Sequence, residues 1–234
     1  MNKSASAWLP LVIVALLAAG VIVLVRRQAV DSSTAAQKFA PRLHQLSPWE
    51  MAAIPQALTF ESPAGSASGA LVYNAQKFWE MNAKRGGHHT GDDLNGIGGM
   101  NSDFGDPVFA AADGLVIYAA EPSTGWGNVV IIAHRAKDGR LLQTMYAHLD
   151  SIATRRGALV ARGARIGTFG TAHGNYPAHL HFEIRETAGV EIGGGYLVNR
   201  RNLLNPADTV ESLRAAPADR PAPSPLATVV APNP

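Results

Sequence analysis

Residues 179–185 read His-Leu-His-Phe-Glu-Ile-Arg, and this run predicts a β-strand. Side chains on a strand alternate between faces, so the imidazoles of His179 and His181 leave the same side of the sheet, about 7 Å apart at Cα. Glu183 shares that face. Two imidazoles crowded together are costly unless something binds them, and neutral imidazole is the commonest metal ligand. A lone His-x-His is equally well two half-buried histidines of an ordinary strand, so its partners elsewhere in the chain decide its meaning.

The first partner is upstream. His89-Thr-Gly-Asp-Asp93 places an imidazole and a carboxylate four residues apart. In an extended segment positions 89, 91 and 93 share a face, and Gly91 has no side chain to block a metal. His88 and Asp92 form a competing register with the bulkier Thr90 between them, and the His89/Asp93 register is preferred for that reason. With His181 the set becomes two histidines and one carboxylate, the number that a catalytic zinc site takes from protein while leaving the fourth tetrahedral position to water. The chain has no cysteine, which excludes a disulfide framework, thiolate catalysis and a cysteine-closed structural site. Calcium and magnesium want all-oxygen shells, so one zinc ion per chain is expected. Bound zinc brings the pKa of its water down to about 7.

His148 closes the strand-like segment 144–148 and would approach the same metal without ligating it, as would His179. A hydrolase needs one group to take a proton from water and another to steady the oxyanion, and histidine serves either role near neutral pH. No His-Glu-x-x-His helix is present to supply a glutamate base. Glu183 is a candidate supporting partner of the ligands.

The rest of the chain frames these residues. It has 234 residues, 20 lysines and arginines against 18 acidic residues, and 23 glycines. Sparse, balanced charge gives no basic block for nucleic acid, and abundant glycine favours a turn-rich β protein over a helical bundle. Strands are predicted at 115–119, 129–134, 142–148, 165–169 and 180–185, with Asp138-Gly139 as a hairpin turn. A helix is predicted over 73–84, ending at Gly86-Gly87. The uncharged run 8–25 would span about 27 Å as a helix. Its length and the closing Arg26-Arg27 favour an uncleaved membrane anchor over a cleaved signal peptide. The expected organisation is therefore an anchor over 1–27, a spacer over 28–60, a β domain over 61–212 and a disordered Pro/Ala-rich tail over 213–234.

Taken with the segments 105–116, 125–134, 146–149 and 163–167, the motifs His89-x-Gly-x-Asp93 and His179-Leu-His-Phe-Glu183 resemble the lysostaphin-type (LytM-domain) zinc metallopeptidases. The resemblance covers about residues 70–210. It implies a mostly β fold, a compact antiparallel sheet or open barrel with the metal in a groove. It also implies cleavage of peptide bonds in the stems or cross-bridges of bacterial peptidoglycan. Carried over, His89, Asp93 and His181 match the zinc ligands, and His148 and His179 match the non-ligand catalytic histidines. The stretch 94–105, glycine-rich and longer than the usual connection, is expected as a loop beside the groove.

Such a substrate would place the domain on the periplasmic or extracellular side of the inner membrane, held by a single span. Cell-wall enzymes are possible partners, because some members of the family bind and activate other wall hydrolases without cutting anything. A lipoyl- or biotinyl-carrier reading would need Lys137 as its modified residue, and the flanks of that lysine lack paired apolar positions.

Overall fold

Sixteen strands and two short helices follow one another along residues 42–65 and 71–214, the part of the chain described by this computed structural model. The early elements are β1 (Arg42–Gln45), α1 (Pro48–Ala53), β2 (Gln56–Ala57), β3 (Val72–Gln76), β4 (Met81–Asn82), β5 (Gly87–His89) and β6 (Asp92–Gly96). The centre holds β7 (Pro107–Phe109), β8 (Gly114–Ser123), β9 (Gly127–Ala136), β10 (Leu141–Leu149), β11 (Leu159–Val160) and β12 (Arg165–Thr168). Then come β13 (Leu180–Glu186), β14 (Gly189–Glu191), β15 (Tyr196–Leu197), β16 (Leu203–Leu204) and α2 (Pro206–Leu213).

Nine of these strands form the main sheet, in the order β11-β8-β9-β10-β13-β6-β3, with β16 on β13 and β2 on β9. All its pairings are antiparallel except the short β2–β9 contact. The β8–β9–β10 meander comes from apolar runs that are buried on both faces along most of β9 and β10 and the first four residues of β8, as strands covered on two sides must be. Val130, Ile132, Leu142 and Tyr146 enter one core with Phe60, Ile166 and Phe169. Their alternates Val129, Ile131, Met145 and Ala147 enter a second core with Leu46, Ile54, Val190 and Ile192. On β13, Leu180, Phe182 and Ile184 point into the first core. His181, Glu183 and Arg185 therefore face the other side, and all three are buried.

The strand positions predicted from sequence agree with β8, β9, β10, β12 and β13, and Gly139 turns the β9–β10 hairpin with φ of 85°. Three expectations are corrected. The predicted helix over 73–84 is instead β3 and β4. Val72–Gln76 alternates between more and less exposed side chains with period two and pairs with β6, so a long-range ladder overrides local helical preference. Gly86, with φ of 70°, turns the β4–β5 hairpin where a helix C-cap was expected. Within the expected spacer, residues 42–60 supply β1, α1 and β2, and Leu46, Ile54, Ala57 and Phe60 are buried. Apart from a short amphipathic pattern near residues 49–54, these apolar side chains carry no sustained periodic signal, yet they join the two cores.

The third correction concerns the single-pass location in the inner membrane. Among the described residues no helix is long and apolar enough to cross a membrane. The run 8–25 itself lies outside the described residues, as does the tail beyond 214.

Candidate metal centre

Register brings the site together. Asp93 on β6 lies directly opposite His181 on β13, and His181 lies opposite Ala147 on β10. His89 ends β5 and pairs with Tyr196 of β15 in the smaller three-stranded sheet, so the site sits where the two sheets meet. His89 Nε2 stands 3.1 Å from His181 Nδ1 and 3.2 Å from Asp93 Oδ1, and His181 Nδ1 stands 2.9 Å from Asp93 Oδ1. Ligands bound to one tetrahedral zinc at about 2.0–2.2 Å lie roughly 3.3 Å apart, so the triangle fits such an ion after a shift of a few tenths of an ångström. These three residues form the metal-capable cluster found among the described residues.

A supporting contact fixes which nitrogen His181 offers. His181 Nε2 lies 2.9 Å from Glu183 Oε1, so Nε2–H donates to that carboxylate and Nδ1 is left for the metal. Glu183 is held in turn by the Thr90 hydroxyl at 2.7 Å and by the Arg185 guanidinium. Arg185 is itself tied to the carbonyl of Ile192 at 2.7 Å. Burial works against charge on His181, but its hydrogen bonds to Asp93 and Glu183 outweigh this and raise its pKa to about 9. Burial would raise Asp93, yet hydrogen bonds from His181 and His89 hold it well below the usual carboxylate range.

The other two histidines stand alongside. His148 and His179 have ring centroids 4.7 Å apart, and His148 lies 5.7 Å from the ring of His181. His179 Nε2 approaches Asp93 Oδ1 to 3.7 Å. Each is oriented by a backbone carbonyl: His148 Nδ1 meets Trp126 O at 3.2 Å, and His179 Nδ1 meets Pro177 O at 2.8 Å. In the neutral rings these contacts make Nδ1 the donor and leave Nε2 free to accept a proton. Burial, reinforced by the nearby His181 and His179, keeps the pKa of His148 well below the ordinary histidine value.

His148 reaches its place through a bulge. The β9–β10 register shifts between Tyr146 and Leu149, and His148 takes φ of 63°, a left-handed conformation that costs energy in a non-glycine residue. Its amide donates to the Trp126 carbonyl, and its ring stacks on the Trp126 indole at 5.7 Å. The chain turns again opposite: Gly170 approaches so closely that a Cβ there would collide with the backbone of His148 and Asp150.

Two sequence readings change in their reasons. His179 stands just ahead of β13 and makes an isolated bridge with Gly170, so an offset strand end brings it to His181. Gly91 is required by close approach, since a Cβ would strike the Phe182 carbonyl and lie 2.9 Å from Glu183 Cγ. The rival pair serves other ends: His88 stacks on Trp79 at 4.6 Å, and Asp92 accepts the Phe78 amide at 2.8 Å. Of the stretch 94–105, residues through Gly96 belong to β6, and the turn beyond it supplies Asn101, whose Oδ1 accepts the Ala178 amide next to His179.

Residues that sequence reasoning missed are Trp126, Tyr176, Tyr196, Thr90 and Arg185. Tyr176 lies 4.8 Å from the His148 ring and Tyr196 lies 5.5 Å from that of His89. The aromatic set between two glycines at Gly125-Trp-Gly127 was the available signal for Trp126, and Arg185 was legible as the next inward position after Glu183.

Comparison with known proteins places the chain in a family. The sequence profile described as Peptidase family M23 matches residues 89–193. Over 81 residues the chain is 41% identical to Lipoprotein NlpD of Yersinia enterocolitica, covering 35% of this chain and 78% of that one. The chain belongs to peptidase family M23. It is also 41% identical over 81 residues to Murein hydrolase activator NlpD of Escherichia coli (strain K12), covering 35% of this chain and 20% of that protein. With Peptidoglycan DD-endopeptidase ShyA of Vibrio cholerae it shares 36% identity over 80 residues, or 34% and 17% of the two chains. The match thus spans a fifth or less of these two longer proteins. Among solved structures, lysostaphin in solution aligns with a TM-score of 0.47 at 22% identity, covering 65% of this chain and 57% of that one.

Proposed function

We propose that this chain is a zinc-dependent metalloendopeptidase that hydrolyses peptide bonds in peptidoglycan stems or cross-links. The observation that carries the reading is the triangle of His89 Nε2, Asp93 Oδ1 and His181 Nδ1, with sides of 2.9–3.2 Å and two further imidazoles against it. His89, Asp93 and His181 would hold the ion, which supplies Lewis-acid polarisation and a water acidic enough to ionise at neutral pH. Glu183, locked by Thr90 and Arg185, keeps the His181 ring turned so that Nδ1 faces the ion. His148 and His179 carry the protons: each has Nδ1 committed to a carbonyl, and the free Nε2 of one accepts the proton of the attacking water. The other steadies the oxyanion or protonates the leaving amine.

A second reading is favoured by the match to a protein named murein hydrolase activator: binding and stimulating another wall hydrolase without cutting. Both readings are tested by digesting purified peptidoglycan with the zinc-loaded chain, with and without a chelator, and identifying the products. The enzyme reading expects new amino termini that vanish with chelator and in His181→Ala. Intact peptidoglycan, together with faster digestion by a separate murein hydrolase, would establish the activator instead.

A further inference from the structure

One cation beside the metal centre has no assigned task. Arg85, at the turn between β4 and β5, lays its guanidinium 5.8 Å from the ring centroid of Tyr196, and Tyr196 in turn lies 5.5 Å from the His89 ring. These two contacts keep the guanidinium within about 11 Å of a candidate zinc ligand. Tyr196 is fixed from behind, since its hydroxyl donates to Gln76 Oε1 at 3.0 Å.

Arg85 is exposed and forms no ion pair among the described residues. The acidic side chains of the surrounding strands are engaged elsewhere. Glu80 accepts the Lys77 amide, Asp92 accepts the Phe78 amide, and Asp93 is shared by the histidines. A guanidinium near an aromatic ring and without an ion pair has N–H groups left to donate, and their fork matches a carboxylate in two-point geometry.

We propose that Arg85 is a specificity-determining residue that binds a free carboxylate of the peptide substrate. The assignment rests on the peptidase reading above and adds the charge of the peptide that the site selects. An extended peptide advances about 3.3 Å per residue, so the bound set by the two ring contacts keeps the carboxylate within a few residues of the bond that is cut.

The test uses the full chain, zinc-loaded, and two probes: fluorescently labelled D-Ala–diaminopimelate cross-linked stem dimers with free carboxyls, and the same dimers with those carboxyls converted to carboxamides. Wild type is expected to bind the free acid about tenfold more tightly, the scale of one charge-assisted hydrogen-bonded pair. Arg85→Gln should abolish that preference by weakening the acid probe while leaving the amide probe unchanged. Lys84→Gln, which removes the same charge one residue away, should keep the preference. Equal loss on both probes in Arg85→Gln would assign the residue a purely structural role, and equal effects of the two variants would reduce the preference to general charge. Either result overturns the proposal. Hydrolysis is scored separately: preferential binding without cleavage sinks the peptidase reading and leaves Arg85 as the reader of the carboxylate. Cleavage without acid preference does the reverse.

Discussion

His181 carries opposite obligations in the metal-free and metal-bound chain. Paired with Asp93 and Glu183 it retains a proton up to a pKa of about 9, yet zinc requires its Nδ1 lone pair. Zinc binding at pH 7.5 should therefore release about one proton from His181, in addition to most of a proton from a zinc-bound water of pKa about 7. Calorimetric titration in buffers of differing ionisation enthalpy measures the total, and a release below one would contradict the pairing. The roles of His148 and His179 separate from those of the ligands in a second measurement. Replacing either by Ala should lower kcat by about 10²–10⁴-fold while zinc content stays at one per chain. Loss of zinc in either variant would move that residue into the ligand set. At this scale the grouping of His89, Asp93 and His181 was legible, because imidazole and carboxylate signal a candidate metal site by type and spacing. Trp126 was not, because its part is played by a carbonyl oxygen and a ring face, and neither follows from residue identity.

Among the elements, β6 and β13 carry two of the three candidate ligands, and their pairing depends on the absence of a side chain at Gly91. Gly91→Ala should cost roughly 1–3 kcal/mol of stability, the range for forcing extra atoms into a filled space, and weaken zinc binding with it. Urea unfolding of the chelated protein gives the first quantity. An unchanged midpoint would show that the strands yield without strain. The long strands were readable because continuous apolar runs bounded by glycine and Asp-Gly need little else. The segment 73–84 was misread because only pairing with distant β6 reveals its period of two. The bulge that aims His148 was equally hidden, since nothing in Tyr-Ala-His-Leu marks the residue that takes a positive φ.

At the scale of the molecule, acid should loosen the fold before it dissolves the sheet. His134 is fully enclosed, with Nδ1 at 2.8 Å from the Asp113 carbonyl and Nε2 at 2.7 Å from the Thr144 hydroxyl. Burial lowers its pKa to about 4, and burial holds His148 down in the same sense. Below the unfolded value of about 6.5 the unfolded chain takes up protons that the fold refuses, so stability falls as pH drops from 6.5 towards 4. His134 alone accounts for roughly 2 kcal/mol of that loss by pH 5. Urea titrations of chelated protein at pH 7 and pH 5 check this. His181, whose raised pKa acts in the opposite sense, offsets part of the loss, and equal stabilities would contradict the account. The two-core architecture was only half readable from sequence. The inward strands were plain, whereas the cover supplied by residues 42–60 comes from isolated apolar side chains that gain meaning only once the sheet exists. Everything proposed for function depends on one ion held between the two sheets. A crystal structure of the zinc-loaded chain, with anomalous scattering at the zinc edge, tests that directly. It should show a single peak about 2.0–2.2 Å from His89 Nε2, Asp93 Oδ1 and His181 Nδ1. A peak at His88 and Asp92, or none between β5, β6 and β13, would contradict it.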